Sequence, residues 1–231
     1  MTVDRAQLAS RLDQTLLRRD AGPRETRAWI EAQTGLGFAA LCVSPFAVPM
    51  AAAALAGTAT RVCSVVAFPF GFTLGLAKAD EARRLVAAGA VEIDMVCEIG
   101  ALCEHDEKWV LDDIREVVRA ADEESAGAAI TKVILETGLL PDEATIRLGC
   151  RLAEDAGARF VKTSTGFGPR GASVEDVRVM RSAVGTRLGV KAAGGIRDLD
   201  AALAMIDAGA DRIGTSSGAG ILAQLDERPT S

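Results

Sequence analysis

The chain has 231 residues, a formal net charge of −6, 49% hydrophobic residues, one histidine and no tyrosine. The length fits one large domain, and no basic run offers a footing for nucleic acid or an anionic membrane surface. No apolar stretch reaches membrane-spanning length, and Met1-Thr2-Val3-Asp4-Arg5 lacks a leader pattern, so a cytoplasmic protein is expected.

The first strand is expected over Arg11 to Leu17, followed by a helix opened by Pro23 and running to about Thr34. Ala39 to Ser44 reads as a second strand and Phe46 to Ala56 as its helix. Arg61 to Phe68 is a nearly unbroken apolar run, as in parallel strands covered on both faces, and its helix spans Leu74 to Ala88. The alternation continues with strand Val91 to Val96, helix Glu107 to Glu124, strand Ala129 to Thr137 and helix Pro141 to Asp155. Strand Arg159 to Thr165, helix Val174 to Val184, strand Leu188 to Ala193, helix Leu199 to Asp207, strand Arg212 to Thr215 and helix Ala219 to Asp226 complete it. Eight strand-helix units with no linker predict a single (β/α)8 barrel domain over residues 1–231, rather than an open doubly wound sheet.

An internal repeat aligns the strands. Ala88-Gly89-Ala90, Ala156-Gly157-Ala158 and Ala208-Gly209-Ala210 each close a helix and lead into a strand, and five residues after each glycine stand Asp94, Lys162 and Gly214. The same offset from Gly37 and Gly127 reaches Cys42 and Lys132, while the preceding position is apolar in Leu41, Ile93, Val161 and Ile213. Strand side chains alternate between faces, so Asp94, Lys132 and Lys162 are expected to occupy equivalent inward positions around one barrel.

Lysine is scarce, at five residues against 21 arginines, yet Lys132, Lys162 and Lys191 all lie in strands. Arginine keeps its proton, whereas a buried lysine is pushed toward the neutral amine that forms an imine with a carbonyl. Lys162 in Val161-Lys162-Thr163-Ser164-Thr165-Gly166-Phe167-Gly168 is therefore the candidate nucleophile. Lys191 beside it would disfavour a second positive charge, and Asp94 would hold charge and move protons. Gly166, Gly194-Gly195 and Gly214-Thr215-Ser216-Ser217-Gly218 follow late strands, where exposed backbone N–H groups can cradle a phosphate. The five cysteines, Cys42, Cys63, Cys97, Cys103 and Cys150, contain no C-x-x-C pair and read as small buried hydrophobes, so neither metal nor cofactor is expected. His105, in a polar helix start, is expected at the surface.

Asp13-Gln14-Thr15-Leu16-Leu17, Cys42-Val43-Ser44-Pro45, Glu92-Ile93-Asp94-Met95-Val96, Lys132-Val133-Ile134-Leu135-Glu136-Thr137, Val161 through Gly168 and Lys191 through Arg197 together resemble the deoxyribose-phosphate aldolase family, in order and over almost the whole chain. The resemblance implies a class I aldolase on a TIM barrel that reversibly cleaves 2-deoxy-D-ribose 5-phosphate to D-glyceraldehyde 3-phosphate and acetaldehyde, without a metal. By motif, Lys162 would form the imine, Lys191 would tune it, and Asp94 would relay protons with Lys191 through a water. Asp13 and Thr15 would lie near the substrate hydroxyls or Lys191, Cys42 and Thr165 near the substrate, and Gly166, Gly194, Gly195, Gly214, Ser216 and Ser217 would bind its phosphate.

The sequence departs from the family pattern at Gln14, where many members have histidine, at Ser44, where many have asparagine, and at Pro169-Arg170-Gly171 in place of a glycine run. The tyrosine-free tail, residues 226–231, cannot supply the proton-transfer tyrosine with which some members end. The expected partners are a small sugar phosphate and an aldehyde, with a homo-oligomer as the base expectation for a barrel enzyme and no nucleic acid or membrane. Two other readings remain open on the residues alone: a phosphate-binding barrel isomerase or synthase whose lysines bind anions, and a non-catalytic sugar-phosphate binder.

Overall fold

The computed structural model describes residues 3–228. Eight parallel strands pair in chain order and close on themselves: β1 (Leu12–Leu16), β2 (Ala40–Val43), β3 (Arg61–Val66), β4 (Glu92–Val96), β5 (Ile130–Ile134), β6 (Phe160–Lys162), β7 (Gly189–Ala193) and β8 (Arg212–Thr215). The closing pair sets Asp13 against Gly214. Between the strands run α2 (Pro23–Gln33), α3 (Val48–Leu55), α4 (Gly75–Ala87), α6 (Glu107–Ser125), α7 (Glu143–Asp155), α8 (Val174–Val184), α9 (Leu199–Asp207) and α10 (Gly218–Asp226). The expected (β/α)8 barrel is the fold.

Helix starts are written locally. Asp106, Asp142, Ser173 and Asp198 each turn a side-chain oxygen back to accept from a backbone N–H three residues on, satisfying an otherwise orphaned donor. Two short helices escaped the sequence reading. The first, α1 (Arg5–Ala9), is fixed by an Asp4–Gln7 capping box and buries Leu8 and Ala9. The second, α5 (Ile99–Cys103), starts at Glu98, whose side chain accepts from the Gly100 N–H.

Several strands end earlier than expected, because the backbone turns left-handed at Ala67 (φ 52°) and at Glu136 (φ 53°). Strand β6 keeps only Phe160 to Lys162. Its continuation still bonds to its neighbours, since Leu135 N–H donates to Lys162 O at 3.0 Å and Thr163 N–H donates to Lys191 O at 3.0 Å.

The side-chain period of two splits each strand between two environments. Outward residues such as Leu41, Ile93, Met95, Val133, Val161, Val190 and Ile213 are fully buried and join the helices in one continuous apolar layer. Burying one such side chain contributes about 1.5–3 kcal/mol, and truncating Ile93 to alanine would cost about 2–5 kcal/mol. The inward residues differ around the ring. Small aliphatic and thiol side chains on β2 and β3, namely Ala40, Cys42, Cys63 and Val65, make a small apolar cluster. On the other strands the inward positions include seven buried charged side chains, Asp13, Glu92, Asp94, Lys132, Lys162, Lys191 and Arg212. No described helix is long and apolar enough to cross a membrane.

Candidate active site

The charged half of the barrel interior holds three carboxylates, Asp13, Glu92 and Asp94, and four cations, Lys132, Lys162, Lys191 and Arg212, all buried. Asp94 is the hub. Its Oδ1 accepts from Lys132 Nζ at 2.7 Å, and its Oδ2 accepts from both Lys162 Nζ at 2.8 Å and Lys191 Nζ at 2.7 Å. Register explains the convergence, because Asp94 is opposite Lys132 on β5 and Lys162 is opposite Lys191 on β7. Lys132 faces Phe160 while Lys162 faces Ile134, so Lys162 stands one pleat beyond the level of Lys132. The repeat-based expectation of equivalent inward positions is met for Asp94 and Lys132, whereas Lys162, also inward, is shifted along the barrel by the stagger of β6 on β5.

A second tier anchors the first. Lys191 Nζ lies 2.5 Å from Asp13 Oδ2, a close ion pair, and Lys132 Nζ lies 2.6 Å from Glu92 Oε2. Arg212 Nε donates to Asp13 Oδ1 at 2.7 Å, and its Nη2 donates to Glu92 Oε2 at 3.0 Å. Glu92 also accepts from Arg61 Nη1 at 3.1 Å. Buried charges are tolerated only when paired in this way.

The electrostatics follow. Burial pushes the Asp94 carboxyl up, yet Lys132, Lys162 and Lys191 outweigh it and hold the group well below the ordinary carboxylate range. For Asp13 burial is likewise outweighed, by Lys191, Lys132 and Arg212, and its pKa falls to about 2. Burial pushes Lys191 down, but Asp13 and Asp94 reverse this and strengthen its hold on the proton. Lys132 is raised in the same sense, with Asp94 as the main partner overcoming burial. Two fixed ammonium ions thus flank the carboxylate that Lys162 also touches.

Lys162 is also the lysine that opens to the outside. Its side chain is 4% exposed against 0% for Lys132 and 1% for Lys191, and it alone of the three lines a cavity of about 280 Å³. This cavity lies over the ends of β1, β6, β7 and β8. Of the residues singled out from sequence, Thr15, Thr165, Gly166, Gly194, Gly195, Gly214 and Ser216 line it with Lys162. Asp13, Asp94 and Lys191 lie behind Lys162 as its supporting tier. Cys42 and Ser217 are not among the lining residues: Cys42 is buried in the apolar cluster, and Ser217 N–H donates to Thr215 Oγ1 at 3.0 Å.

Glycine is required at particular places. A Cβ on Gly214 would come within 3.1 Å of Lys191 Cε and 2.9 Å of Ala193 Cβ, so this glycine makes room for the lysine. A Cβ on Gly171 would come within 2.1 Å of Gly194 O, so the loop after β6 lies directly on the loop after β7. Ala172 N–H ties the two by donating to Ala193 O and to Gly194 O, both at 3.1 Å.

The departures from the family pattern now have locations. Gln14 points out of the barrel, where its Oε1 accepts from Gly218 N–H at 2.9 Å and its Nε2 donates to Gln33 Oε1 at 3.1 Å and to Ser216 O at 3.4 Å. It braces the turn between β8 and α10 rather than facing the cavity. Ser44 precedes a 3₁₀ turn over Pro45–Ala47 and makes no side-chain cap bond. Arg170 turns away to Asp176 and donates to Thr137 O at 3.2 Å. The tail reading covers residues 226–231, of which 229–231 lie outside the described residues.

Sequence reasoning missed two cavity-lining cations, Arg18 and Arg197. Arg197 forms no salt bridge with a carboxylate among the described residues, and its signal was present at the end of Gly194-Gly195-Ile196-Arg197. Glu92 and Arg212 were also missed as partners of the lysines, since no local pattern reports on contacts across the barrel. His105 is exposed, as expected, with Nε2 3.0 Å from Thr145 Oγ1. Cys42, Cys63 and Asp94 bring three possible metal donors within 4.8 Å of one another. A divalent ion there would have to displace ammonium groups that already hold both Asp94 oxygens.

Comparison with known proteins agrees with this architecture. Residues 11–224 match the family described as DeoC/LacD family aldolase. Deoxyribose-phosphate aldolase 1 of Bacillus licheniformis is 48% identical over 219 residues, covering 95% of this chain and 96% of that protein. The deoxyribose-phosphate aldolase of Rhodospirillum rubrum is 50% identical, covering 97% and 92% respectively. Among solved structures, the tetrameric deoxyribose phosphate aldolase of Aeropyrum pernix superposes with a TM-score of 0.88 at 33% identity, over 97% of this chain and 93% of that one.

Proposed function

As the chain belongs to the DeoC/LacD aldolase family, we propose that it is a class I aldolase that reversibly cleaves 2-deoxy-D-ribose 5-phosphate to D-glyceraldehyde 3-phosphate and acetaldehyde. The observation that carries the reading is a single partly accessible lysine, Lys162, set against a carboxylate shared with two fully buried ones.

Lys162 attacks the C1 aldehyde as the free amine, and loss of water from the carbinolamine leaves an imine. The protonated imine draws electrons from the C2–C3 bond as the C3 hydroxyl gives up its proton, releasing glyceraldehyde 3-phosphate and leaving an enamine on Lys162. Protonation at C2 and hydrolysis then free acetaldehyde and the amine. Each step moves a proton near Lys162 Nζ, where Asp94 Oδ2 bridges Lys162 and Lys191. Lys191, held protonated by Asp13 and Asp94, supplies the positive charge beside the reacting nitrogen.

The phosphate is assigned to the far end of the cavity, among the backbone N–H groups of Gly166, Gly194, Gly195, Gly214 and Ser216, with Arg197 as counter-cation. Thr15 lines the same cavity as a candidate for the substrate hydroxyls, while the Thr165 hydroxyl is already committed to Glu136. No step requires a metal. Cytoplasmic action is part of the proposal, supported by five free cysteines, four of them buried. Self-association is also part of it: Phe70, Phe72, Leu74 and Leu76 are 64–82% exposed in one stretch, and a structural relative is described as a tetramer.

The test is reductive trapping. Protein mixed with acetaldehyde or 2-deoxyribose 5-phosphate and then borohydride should carry a stable adduct on Lys162 by peptide mass spectrometry, absent in Lys162→Met. A folded protein with no adduct on any lysine would overturn the reading.

A further inference from the structure

Glu136 belongs to none of the roles assigned so far, yet its conformation is unusual. It is 2% exposed and sits at φ 53°, a left-handed conformation that costs a side-chain-bearing residue about 1 kcal/mol or more. Such a conformation persists where surrounding contacts impose it. Here they come from the segment that links the nucleophile to the phosphate end of the cavity. Thr165 N–H donates to Glu136 Oε2 at 3.2 Å, and the Thr165 hydroxyl makes a second, shorter bond to the same oxygen. Thr165 Oγ1 in turn accepts from Phe167 N–H at 3.0 Å. Gly168 is pressed so closely that a Cβ there would come within 2.9 Å of Glu136 Cδ. Segment 165–168 is thus laid over one carboxylate, and Thr165, Gly166 and Phe167 of that segment line the catalytic cavity.

A negative charge beneath an anion site disfavours the anion, so charge attraction is not the reason for this carboxylate. Geometry is. Glu136 supplies the acceptor that the Thr165 N–H and hydroxyl both need, and it turns Gly166 (φ +89°) toward the cavity beside Gly194. We infer that Glu136 is a positioning residue that sets the loop after β6 for the substrate's phosphate without touching the substrate. The inference deepens the proposed function and rests on it.

The experiment compares 2-deoxyribose 5-phosphate with unphosphorylated 2-deoxyribose, together with inhibition by inorganic phosphate and the phosphate-induced rise in melting temperature. Glu136→Leu, which leaves Thr165 without its acceptor, should raise KM for the phosphorylated substrate and the phosphate inhibition constant by about tenfold or more. Turnover of 2-deoxyribose should change by less than about twofold in the same variant. Glu136→Gln retains an acceptor oxygen and loses the charge, so it should bind phosphate no more weakly than the parent. Equal losses on both substrates, or no loss on either, would overturn the inference. Should Glu136→Leu fail to fold, Gly168→Ala, whose Cβ would come within 2.9 Å of Glu136 Cδ and push the carboxylate off the loop, is read by the same two patterns. A parent protein with no trapped imine defeats the aldolase reading alone, because the phosphate-induced melting shift still reports what Glu136 does to anion binding.

Discussion

Replacing Asp94 by asparagine tests the electrostatic design of the barrel interior. Asp94 accepts from three lysine ammonium groups at 2.7, 2.8 and 2.7 Å. At an effective dielectric of about 20, each contact of that length represents about 6 kcal/mol of attraction. Desolvation of the four groups offsets most of this, and removing one partner from a buried ion set costs about 3–5 kcal/mol net. For a chain of this size that corresponds to a fall in melting temperature of about 6–20 °C. Charge counting sharpens the test. The parent interior sets three carboxylates against four cations, a balance of +1, and Asp94→Asn makes it two against four, or +2. Adding Lys132→Met returns it to two against three, or +1, and leaves Glu92 paired with Arg212 and Arg61. The double variant should therefore recover about 1–3 kcal/mol relative to Asp94→Asn in calorimetry. Neither variant should turn over substrate at the parent's rate, because the carboxylate that bridges Lys162 and Lys191 is gone. A single variant as stable as the parent, or a double variant less stable than the single one, would refute this reasoning.

Three further outcomes are expected. Gln14→Ala removes the acceptor of Gly218 N–H and the donor to Ser216 O, and should raise KM for the phosphorylated substrate about threefold to tenfold while acetaldehyde trapping on Lys162 is retained; an unchanged KM would separate this brace from phosphate binding. Acid should unfold the protein through its depressed carboxylates: Asp13 has a pKa of about 2 when folded against an ordinary 3.8, so its contribution is full above the ordinary value and is lost as pH falls toward 2, with Asp94 acting in the same sense. Denaturant midpoints measured from about pH 5 downward should decline across that window, and a flat profile would contradict the pairing. Gly171→Ala would drive a Cβ to within 2.1 Å of Gly194 O, so a destabilisation of about 1–3 kcal/mol with weakened phosphate inhibition is expected, and parent-like values for both would place the two loops apart.

Much of the fold was legible because each barrel unit is specified over short range. Period-two strands, helix caps at Asp142 and Ser173, and the Ala-Gly-Ala closures at Gly89, Gly157 and Gly209 lie within a few residues of what they determine. Strand ends were misjudged where a side-chain-bearing residue adopts a left-handed turn, since Ala67 and Glu136 give no local sign of it. The short helix α5 lacks the length that makes an amphipathic pattern readable.

The sequence by itself determined that Asp94, Lys132 and Lys162 point into one barrel, because alternation along each strand and the repeated glycine offset orient them without reference to neighbours. Tertiary structure alone decided which lysine meets the cavity and which are locked away. Those distinctions depend on the stagger between strands, which sets Lys162 one pleat beyond the level of Lys132 and places Lys191 between Asp13 and Asp94. Glu92, Arg212, Gln14 and Glu136 gained their roles in the same way. Each acts across an interface between elements distant in the chain, and the energy of a buried charge or amide is determined by the partners that closure of the barrel brings to it.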